Sequence, residues 1–571
     1  MYPLKTGRIK FIGGMVLVVA CILISRLYVL QVMKSDAYRD QADRQYVRRG
    51  QNVFDRGTIF FSPRVGSPVS AATLATGYTV SINPKQIEYP EDVYNGLSGI
   101  LPIDEGLIAA LANPTGPYKD IAKRVDEKTK DRIEALELSG VSVTTERWRD
   151  YPASSTAANV LGLVAFGDDG VSVEGRYGLE KYYDDVLSRD NSDLYVNFFA
   201  QIFSNVNDTL FKGESPKGDI VTIIEPAVQI ELERALAGVE RNWDSDTTGG
   251  IIIDPYTGEI FAMGISPSFN PNSFSKVKNA AVFGNPMVDR VYEMGSIVKP
   301  LAMAAALDAG VVTAKTTYED KGSISLSGYK ISNFDGRARG TADMQKVLSE
   351  SLNVGMAFVS QKLGNEKLTE YFKNLGFGLE TGIDLPGETH GLITNLDSPR
   401  DLEHVTASFG QGIALTPIAT ARALSALGNG GFLPEPHIVK KIEYTSGFSK
   451  TIAYNSSDAT VFKPETSEEI TRMLVRVVDE ALLGGTVKMP RYSIAAKTGT
   501  AQMALESGRG YYTDRYLHSF FGYFPAYKPR FLIFLYTLYP KGATYASHTL
   551  TQPFIDLTKF LINYYEVPPD R

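Results

Sequence analysis

The sequence contains a single cysteine, Cys21, among its 571 residues. One cysteine can form neither an intramolecular disulfide nor a CxxC zinc site, so a disulfide-rich scaffold and a zinc-knuckle protein are excluded. Histidine is also scarce, and no two of the five show metal-ligand spacing such as HExxH: His390, His404, His437, His518 and His548. We therefore expect neither a metal nor a cofactor.

The chain also lacks an excess of positive charge. Lys and Arg number 58 and Asp and Glu number 65, which gives a formal net charge of −7 and a pI of about 5.5. Because nucleic-acid binding usually shows as clustered positive charge, we expect no nucleic-acid partner. Hydrophobic residues make up 43% and charged residues 22% of the chain, which is typical of folded domains. The length predicts three or four folding units.

The longest apolar run lies near the N-terminus. Residues 11–25 are uncharged, and 11–30 correspond to about 30 Å of helix, which is enough to span a bilayer. Lys5, Arg8 and Lys10 precede the run, so the positive-inside bias places residues 1–10 in the cytoplasm and the rest outside. We predict an uncleaved single-pass transmembrane helix; the alternatives are a cleaved signal peptide and a lipoprotein signal at Cys21.

Two regions of different texture follow this predicted anchor. Residues 31–215 are polar and rich in turn signals, and they predict an elongated mixed pedestal with a short strand at 78–82 and a helix at 126–138. Residues 216–571 start with a strand at 219–224, a helix from Pro226 and a hairpin around Thr257. We predict further helices at 301–309, 342–363, 416–427 and 466–483, and the last two strands at 492–502 and 531–538. Strands at both ends with helices between them predict an α+β domain with a mostly antiparallel sheet.

Three short motifs in this second region carry the chemistry. They are Ser296-Ile297-Val298-Lys299 (SxxK), Ser351-Leu352-Asn353 (SxN) 55 residues later, and Lys497-Thr498-Gly499 (KTG) 146 residues after that. Each motif alone is weak evidence, since SxxK also occurs at Ser275 and KTG at Lys5. Their order, their spacing and the predicted strand around Lys497 together are specific.

This set resembles the penicillin-binding proteins, in particular the class B transpeptidases. Further blocks carry the resemblance: Gly178-Leu179-Glu180-Lys181, Tyr292-Glu293-Met294-Gly295-Ser296, Leu385-Pro386-Gly387-Glu388, Phe409-Gly410-Gln411-Gly412 and Lys497-Thr498-Gly499-Thr500. The resemblance implies a penicilloyl-serine transferase domain at 216–571 on a non-catalytic, dimerisation-type pedestal at 31–215. It implies a membrane-anchored serine D,D-transpeptidase that cross-links peptidoglycan stem peptides and is inhibited by covalent β-lactam binding.

The residues agree with acyl transfer. Spacing i, i+3 on a helix puts Lys299 beside Ser296, and a serine nucleophile needs such a base. Burial and a second cation, Lys497, would lower the pKa of Lys299 so that it can accept a proton. The resemblance adds that Ser351 shuttles the proton to the departing amine and that Asn353 orients Lys299 and the substrate. It also implies that Thr498, Thr500 and Lys497 hold the substrate carboxylate, and that the Ser296 and Thr500 N–H groups form the oxyanion site.

Gly499 can be explained without the resemblance, because a strand that receives substrate along its edge needs a position where another backbone can come close.

Some of the family's sequence blocks are incomplete in this chain. Arg56-Gly57-Thr58-Ile59 lacks the acid expected after it, and Met294 stands where the family commonly has proline. The chain has no room for a glycosyltransferase domain, which favours class B over the bifunctional class A proteins.

Other functions remain open at this point. The same motifs would occur in a D,D-carboxypeptidase or a serine β-lactamase, and a non-catalytic cell-wall scaffold could keep the fold. The Gly410-Gln411-Gly412 and Leu385 to Glu388 blocks look somewhat more like the division type than the side-wall type. By resemblance, we expect a multi-spanning SEDS-family glycosyltransferase as partner.

Overall fold

The computed structural model describes residues 54–102, 105–167, 173–189, 217–452, 460–505 and 510–571. These residues form two compact units, one of 75–148 and the other of 55–74 together with 149–571. Within these ranges, no helix is both long and apolar enough to cross a bilayer. The predicted anchor at 11–30 and the predicted domain boundary at 215/216 lie outside the described residues.

The first unit holds much of the predicted pedestal. The strand predicted at 78–82 is confirmed as the end of a longer strand, and the predicted helix after Asp126 is confirmed but ends at Glu134. The Asp126 side chain caps that helix by accepting a hydrogen bond from the Thr129 N–H at 2.7 Å. In chain order the first elements are β1 (Ile59–Phe61), β2 (Val69–Ile82), α1 (Pro90–Ser98), α2 (Glu105–Leu111), β3 (Lys119–Val125), α3 (Glu127–Glu134) and β4 (Val141–Asp150). Of these, β1, the start of β2 and the end of β4 belong to the second unit.

The remaining elements belong to the second unit. They are α4 (Ala158–Leu161), β5 (Val164–Phe166), β6 (Val173–Gly175), α5 (Gly178–Tyr182), α6 (Asp184–Leu187), β7 (Gly218–Thr222), α7 (Pro226–Trp243), β8 (Thr247–Ile253), β9 (Ile260–Ser266), α8 (Pro286–Asp289), α9 (Lys299–Asp308), β10 (Thr317–Asp320), β11 (Ser323–Leu326), β12 (Tyr329–Ser332), β13 (Gly340–Asp343), α10 (Met344–Ser349), α11 (Asn353–Leu363), α12 (Asn365–Asn374), α13 (Asp401–Ser408), α14 (Pro417–Ser425), β14 (Val439–Tyr444), β15 (Ser449–Thr451), α15 (Pro464–Arg476), β16 (Ala495–Ala504), β17 (Tyr511–Phe524), β18 (Phe531–Leu538), α16 (Ala546–Thr549) and α17 (Thr551–Tyr565).

The central sheet of this unit has five antiparallel strands in the order β16-β17-β18-β8-β9. Successive residues of a strand point to opposite faces, and both faces of this sheet are buried. Phe520 lies in one apolar core with side chains of α7 and α17, whereas Phe521 lies in the other with side chains of α9 and α14. Because both faces are covered, the β18 segment is an apolar run from Phe531 to Tyr536. The predicted α+β class and antiparallel sheet are confirmed.

Two expectations about single elements were wrong. The helix expected over 342–363 is two helices, α10 and α11, which are separated at Ser351. The expected last two strands are not neighbours in the chain, because β17 lies between them and pairs with both. The first half of β17 is largely exposed and polar, so its sequence lacks the apolar alternation of a buried strand.

A second sheet in this unit contains β15, β14, β7 and β1 in that order, with the start of β2 beside β1. Strand β1 runs parallel to β7, with Ile59 opposite Ile220, and β7 runs antiparallel to β14. Two small hairpin-like pairs complete the region next to the site: β10 pairs with β13, and β11 pairs with β12 in the segment between them.

Candidate active site

Ser296 lies in a 3₁₀ turn, Gly295–Ile297, directly before α9 begins at Lys299. The i, i+3 argument placed Ser296 on the same helix as Lys299, whereas the α-helix starts three residues after Ser296. Gly295 has a φ of +64°, and a β-carbon there would lie 2.9 Å from the carbonyl oxygen of Thr500. Only glycine fits both the left-handed backbone and this close approach. The turn is therefore pressed against β16.

Gly499 on β16 is the other residue whose missing side chain allows the serine turn and β16 to pack together. A β-carbon at Gly499 would lie 2.8 Å from the Met294 carbonyl oxygen and 3.0 Å from the Ile297 nitrogen. A second backbone approaches Gly499, and it is the chain's own turn around Ser296. Glycine in the KTG motif thus lets the turn and the strand touch, and this contact fixes Ser296 relative to β16.

Lys299 is completely buried beneath this turn. Its Nζ lies 2.6 Å from the Ser351 carbonyl oxygen, 2.7 Å from Asn353 Oδ1 and 3.1 Å from Ser351 Oγ. Among the described residues, Ser296 is not a hydrogen-bond partner of Lys299 here. Burial, and then the nearby charge of Lys497, lower the pKa of Lys299 well below that of an ordinary lysine. The directions predicted from the sequence are confirmed.

Ser351 owes its position to the way α10 ends. Its N–H bonds to the Leu348 carbonyl, and the Leu352 N–H bonds to the Val347 carbonyl, which together form a Schellman motif. This motif needs a left-handed residue, usually glycine, and Ser351 fills it with a φ of +56°. A serine in this strained position presents both its carbonyl oxygen and its hydroxyl to Lys299.

Lys497 is the second buried lysine of the site, on β16. Its Nζ donates to Ser351 Oγ at 3.1 Å and to the Thr498 carbonyl oxygen at 2.9 Å. Burial lowers the pKa of Lys497 to about 7. Ser351 Oγ is therefore hydrogen-bonded to two buried amines, and burial lowers the pKa of both.

The acceptors around Lys299 indicate where its lone pair points. A carbonyl oxygen and an amide oxygen only accept, so the two short contacts take the two hydrogens of a neutral amine. Asn353 Nδ2 donates to the Ser332 carbonyl oxygen at 3.0 Å, which fixes Oδ1 toward Lys299. In the neutral form of Lys299, the lone pair is then left for a hydroxyl group. Lys497, when protonated, donates to the same Ser351 hydroxyl from the other side.

These residues meet at one cavity of about 570 Å³. All eight residues predicted for the site lie at or beside it. Six line it directly, Lys299 lies beneath Ser351, and Gly499 packs on the serine turn. The six are Ser296, Ser351, Asn353, Lys497, Thr498 and Thr500.

The cavity also contains residues that the motifs did not reveal. Phe409 and Gln411 line it, and they belong to one of the blocks that carry the family resemblance. The aromatic residues Phe334, Tyr516 and Tyr545 line it as well, and they belong to no recognisable motif. The one available signal was the number of tyrosines between 511 and 523, and it does not separate Tyr516 from Tyr523, which is buried in the core.

Glu293 ties three parts of this site together. Its Oε1 accepts the Gly412 N–H at 2.9 Å and the Tyr511 hydroxyl at 3.0 Å, and the Gly295 N–H bonds to the Gly410 carbonyl at 3.1 Å. Burial raises the pKa of Glu293. The serine turn, the 409–412 loop and the start of β17 are thereby joined beside the cavity.

The described ranges contain no group of three or more His, Cys, Asp or Glu residues placed to hold a metal. A serine on a tight turn, two buried lysines and a hydroxyl between them define a serine acyltransferase of the lysine-base class.

The comparisons with known proteins agree with this class. A family model described as the penicillin-binding protein transpeptidase domain matches residues 248–557, and one for the penicillin-binding protein dimerisation domain matches 56–201. The chain belongs to the penicillin-binding protein family, as a class B transpeptidase.

Curated relatives match along nearly the whole chain. Stage V sporulation protein D of Bacillus subtilis is 31% identical over 559 residues, which cover 96% of this chain and 84% of the relative. Peptidoglycan D,D-transpeptidase FtsI of Escherichia coli is 26% identical, covering 96% and 90%. Penicillin-binding protein 3 of Mycobacterium tuberculosis in complex with aztreonam has the same fold, with a TM-score of 0.67, 22% identity and coverage of 91% of this chain and 98% of that one.

Proposed function

We propose that this protein is a peptidoglycan D,D-transpeptidase that forms an acyl-enzyme on Ser296 and passes the acyl group to a neighbouring stem-peptide amine. One observation carries the proposal: Ser351 Oγ lies 3.1 Å from both Lys299 Nζ and Lys497 Nζ, beside the cavity that Ser296 lines. The arrangement offers a nucleophile, a neutral base and a proton path within one site.

In the acylation step, the Ser296 hydroxyl attacks the carbonyl carbon of the penultimate D-Ala, and Lys299 takes its proton. The tetrahedral intermediate collapses, the C–N bond breaks, and the departing D-Ala nitrogen receives a proton through Ser351. The products are free D-Ala and an ester on Ser296. The Ser296 and Thr500 N–H groups are proposed to stabilise the oxyanion, a contribution typically worth about 3 to 4 kcal/mol per donor.

The second step reverses the proton movements. An amine of another stem peptide attacks the ester carbonyl, loses a proton to the same relay and leaves Ser296 as a hydroxyl. Thr498, Thr500 and Lys497 are proposed to hold the terminal carboxylate of the donor peptide during acylation. A β-lactam would enter the first step in the same way, but its leaving nitrogen stays tethered to the acyl group, so the adduct persists.

Mass spectrometry of the intact protein after exposure to benzylpenicillin tests the site. We expect one adduct, located on the peptide that contains Ser296, and no adduct in the Ser296→Ala variant. Ser275→Ala is the matched control, because Ser275 and Lys278 repeat the SxxK spacing at an exposed position. An adduct elsewhere, or an unmodified parent protein, would refute Ser296 as the nucleophile.

The lifetime of the adduct separates this function from a hydrolase. Glu350 lines the cavity, and its side chain is paired with Arg339 at 2.7 Å. An adduct that survives for hours supports a transpeptidase, and turnover within seconds supports a β-lactamase. Release of D-Ala from a stem peptide without cross-linked product would indicate a carboxypeptidase. Normal growth of a Ser296→Ala strain, with loss of growth on gene deletion, would indicate a scaffold.

We further propose a single-pass anchor at 11–30 with the N-terminus in the cytoplasm, a pedestal at 31–215 and a transpeptidase domain at 216–571. The apolar run and its flanking basic residues support the anchor. We propose a SEDS-family glycosyltransferase as membrane partner and a role at the division septum; relatives named FtsI support the latter. Co-purification and the position of a fluorescent fusion during division or sporulation test these two proposals.

A further inference from the structure

Asn333 lies directly after β12 and is 97% buried, with a full set of partners for its side chain. Its Nδ2 donates to both carboxylate oxygens of Asp320, at 3.1 and 2.9 Å, and to the Arg337 carbonyl oxygen at 3.2 Å. Its Oδ1 accepts the Val354 N–H at 3.1 Å. Asn333 does not line the cavity, and none of the predicted motifs contains it.

The Val354 contact replaces a missing helix cap. Helix α11 begins at Asn353, and the residue at its N-cap position is Leu352, whose side chain cannot accept a hydrogen bond. The first N–H groups of a helix have no partner within the helix. Asn333 supplies one from 21 residues away in the chain, so α11 is capped by a different part of the fold.

The neighbouring residue completes the arrangement. The Ser332 carbonyl oxygen accepts the Asn353 Nδ2 hydrogen, and this contact fixes which end of the Asn353 amide faces Lys299. If the amide rotated, an NH₂ group would face the Lys299 amine, and neither could accept a hydrogen bond from the other while Lys299 is protonated. Ser332 and Asn333 thus hold the first turn of α11 and the orientation of Asn353 together.

Asp320 anchors this support. It is 99% buried and accepts the Gly322 N–H at 3.2 Å and the Arg339 N–H at 3.0 Å in addition to Asn333. It lies opposite Gly340 in the β10–β13 pair, where the segment that contains β11 and β12 leaves and returns. The Asp320 carboxylate therefore links the two ends of the segment that contains β11 and β12, and its hydrogen bonds keep Asn333 next to α11.

We propose that Asn333 is a positioning residue for the acylation of Ser296: it caps α11 from β12 and thereby holds Asn353 Oδ1 on the Lys299 amine. The proposal rests on the proposed function, because its readout is acylation. A displacement of about 1 Å in such a site can cost about a hundredfold in rate.

The test compares Asn333→Ala with Asn429→Ala. Asn429 is equally buried, donates to the Pro255 and Phe432 carbonyls and accepts the Gly431 and Phe432 N–H groups, and it does not line the cavity. Stopped-flow acylation by a fluorescent penicillin gives the dissociation constant of the non-covalent complex and the acylation rate constant separately. We expect both variants to lose thermal stability, but only Asn333→Ala to lose acylation rate, by about tenfold to a hundredfold, with the dissociation constant unchanged.

Equal acylation rates in the two variants, or a loss confined to the dissociation constant, would overturn the proposal. Asp320→Asn is the second variant, since it keeps the side-chain volume and weakens the hold on Asn333. We expect a smaller loss of the same rate constant, and an unchanged rate in a folded Asp320→Asn protein would also count against the proposal. If the parent protein is not acylated on Ser296, the proposed function fails; if only the variants behave unexpectedly, this inference alone fails.

Discussion

The second unit contains two clusters of buried charged side chains, and only one of them contains charges of both signs. Around Glu180, Arg56 and Arg149 each donate to the carboxylate at 2.6 Å, and Arg56 also pairs with Asp184 at 2.8 Å. Around Ser351, two buried lysines face one hydroxyl, and the hydrogen bonds that those lysines make go to no carboxylate. In the first cluster, the arginine and carboxylate charges compensate each other. In the second cluster, both charged groups are lysines, and no carboxylate among the described residues compensates them.

The pKa shifts of Glu180 and of the two lysines follow from this difference in charge compensation. Burial acts to raise the pKa of Glu180, but Arg149 and Arg56 together outweigh it, so the carboxylate stays ionised. Burial lowers the pKa of both lysines, with nothing to offset it. The compensated cluster around Glu180 stabilises the fold. The uncompensated lysines around Ser351 can more readily lose a proton, and their burial lowers the stability of the folded protein. We expect substitutions in the two clusters to separate stability from activity.

Lys299→Met has the largest expected effect. Removing the base should slow acylation by about 10³- to 10⁴-fold, or roughly 4 to 5.5 kcal/mol in barrier height. The free energy of unfolding should stay the same or rise, because a buried amine is replaced by an apolar side chain of similar length. Fluorescent-penicillin acylation and urea unfolding measure the two quantities. A variant that acylates normally would show that Lys299 is not the base.

Glu180→Gln should show the reverse pattern. Arg149 would lose the charge that compensates it, and Arg56 would keep only its pair with Asp184. Breaking a buried ion pair typically costs about 3 to 5 kcal/mol. At temperatures where the variant is folded, its acylation rate should match that of the parent. Glu231→Gln is the control, because its pair with Arg234 is on the surface of α7 and exposed pairs contribute about 0 to 1 kcal/mol. Similar urea midpoints for both variants would contradict a structural role for the cluster.

Lys497→Met tests the cost of the uncompensated charge through its pH dependence. The pKa of Lys497 is lowered to about 7 in the folded protein, so the unfolded chain binds the proton more tightly. The stability of the parent relative to the variant should therefore rise with pH, by roughly 3 kcal/mol between about pH 7 and about pH 9.5. Parallel stability curves from urea unfolding at several pH values would show that Lys497 has an ordinary pKa.

Ser351 gives the smallest predicted difference. Ser351→Ala and Ser351→Gly both remove the hydroxyl, so they should lose the same fraction of acylation rate. Glycine also relieves the left-handed backbone at a φ of +56°, so the glycine variant should be more stable than the alanine variant by about 1 kcal/mol. Equal unfolding free energies would mean that the Schellman turn is not strained by a side chain at this position.

The sequence alone identified much of this site because the motifs are short and local. The i, i+3 spacing of Ser296 and Lys299 and the run of apolar residues in β8, β9 and β18 depend only on neighbours along the chain. The helix break at Ser351 could not be predicted in this way, because serine is an unusual residue for the left-handed position of a Schellman motif. Asn333 carries no motif, since its role is to cap a helix that begins 20 residues later.

The order of SxxK, SxN and KTG indicated which residues to propose for the site and, with the other blocks, which family the chain belongs to. Only the tertiary structure decided that both lysines are buried, that Ser351 lies between them, and that the backbone approaching Gly499 is the serine turn. The reason is physical: hydrogen-bonded turns and apolar periodicity are set by local sequence, whereas desolvation and charge interactions depend on distances in space. Residues 299, 351 and 497 are far apart in the chain, and the pKa values of the two lysines are lowered only once the fold has buried them together.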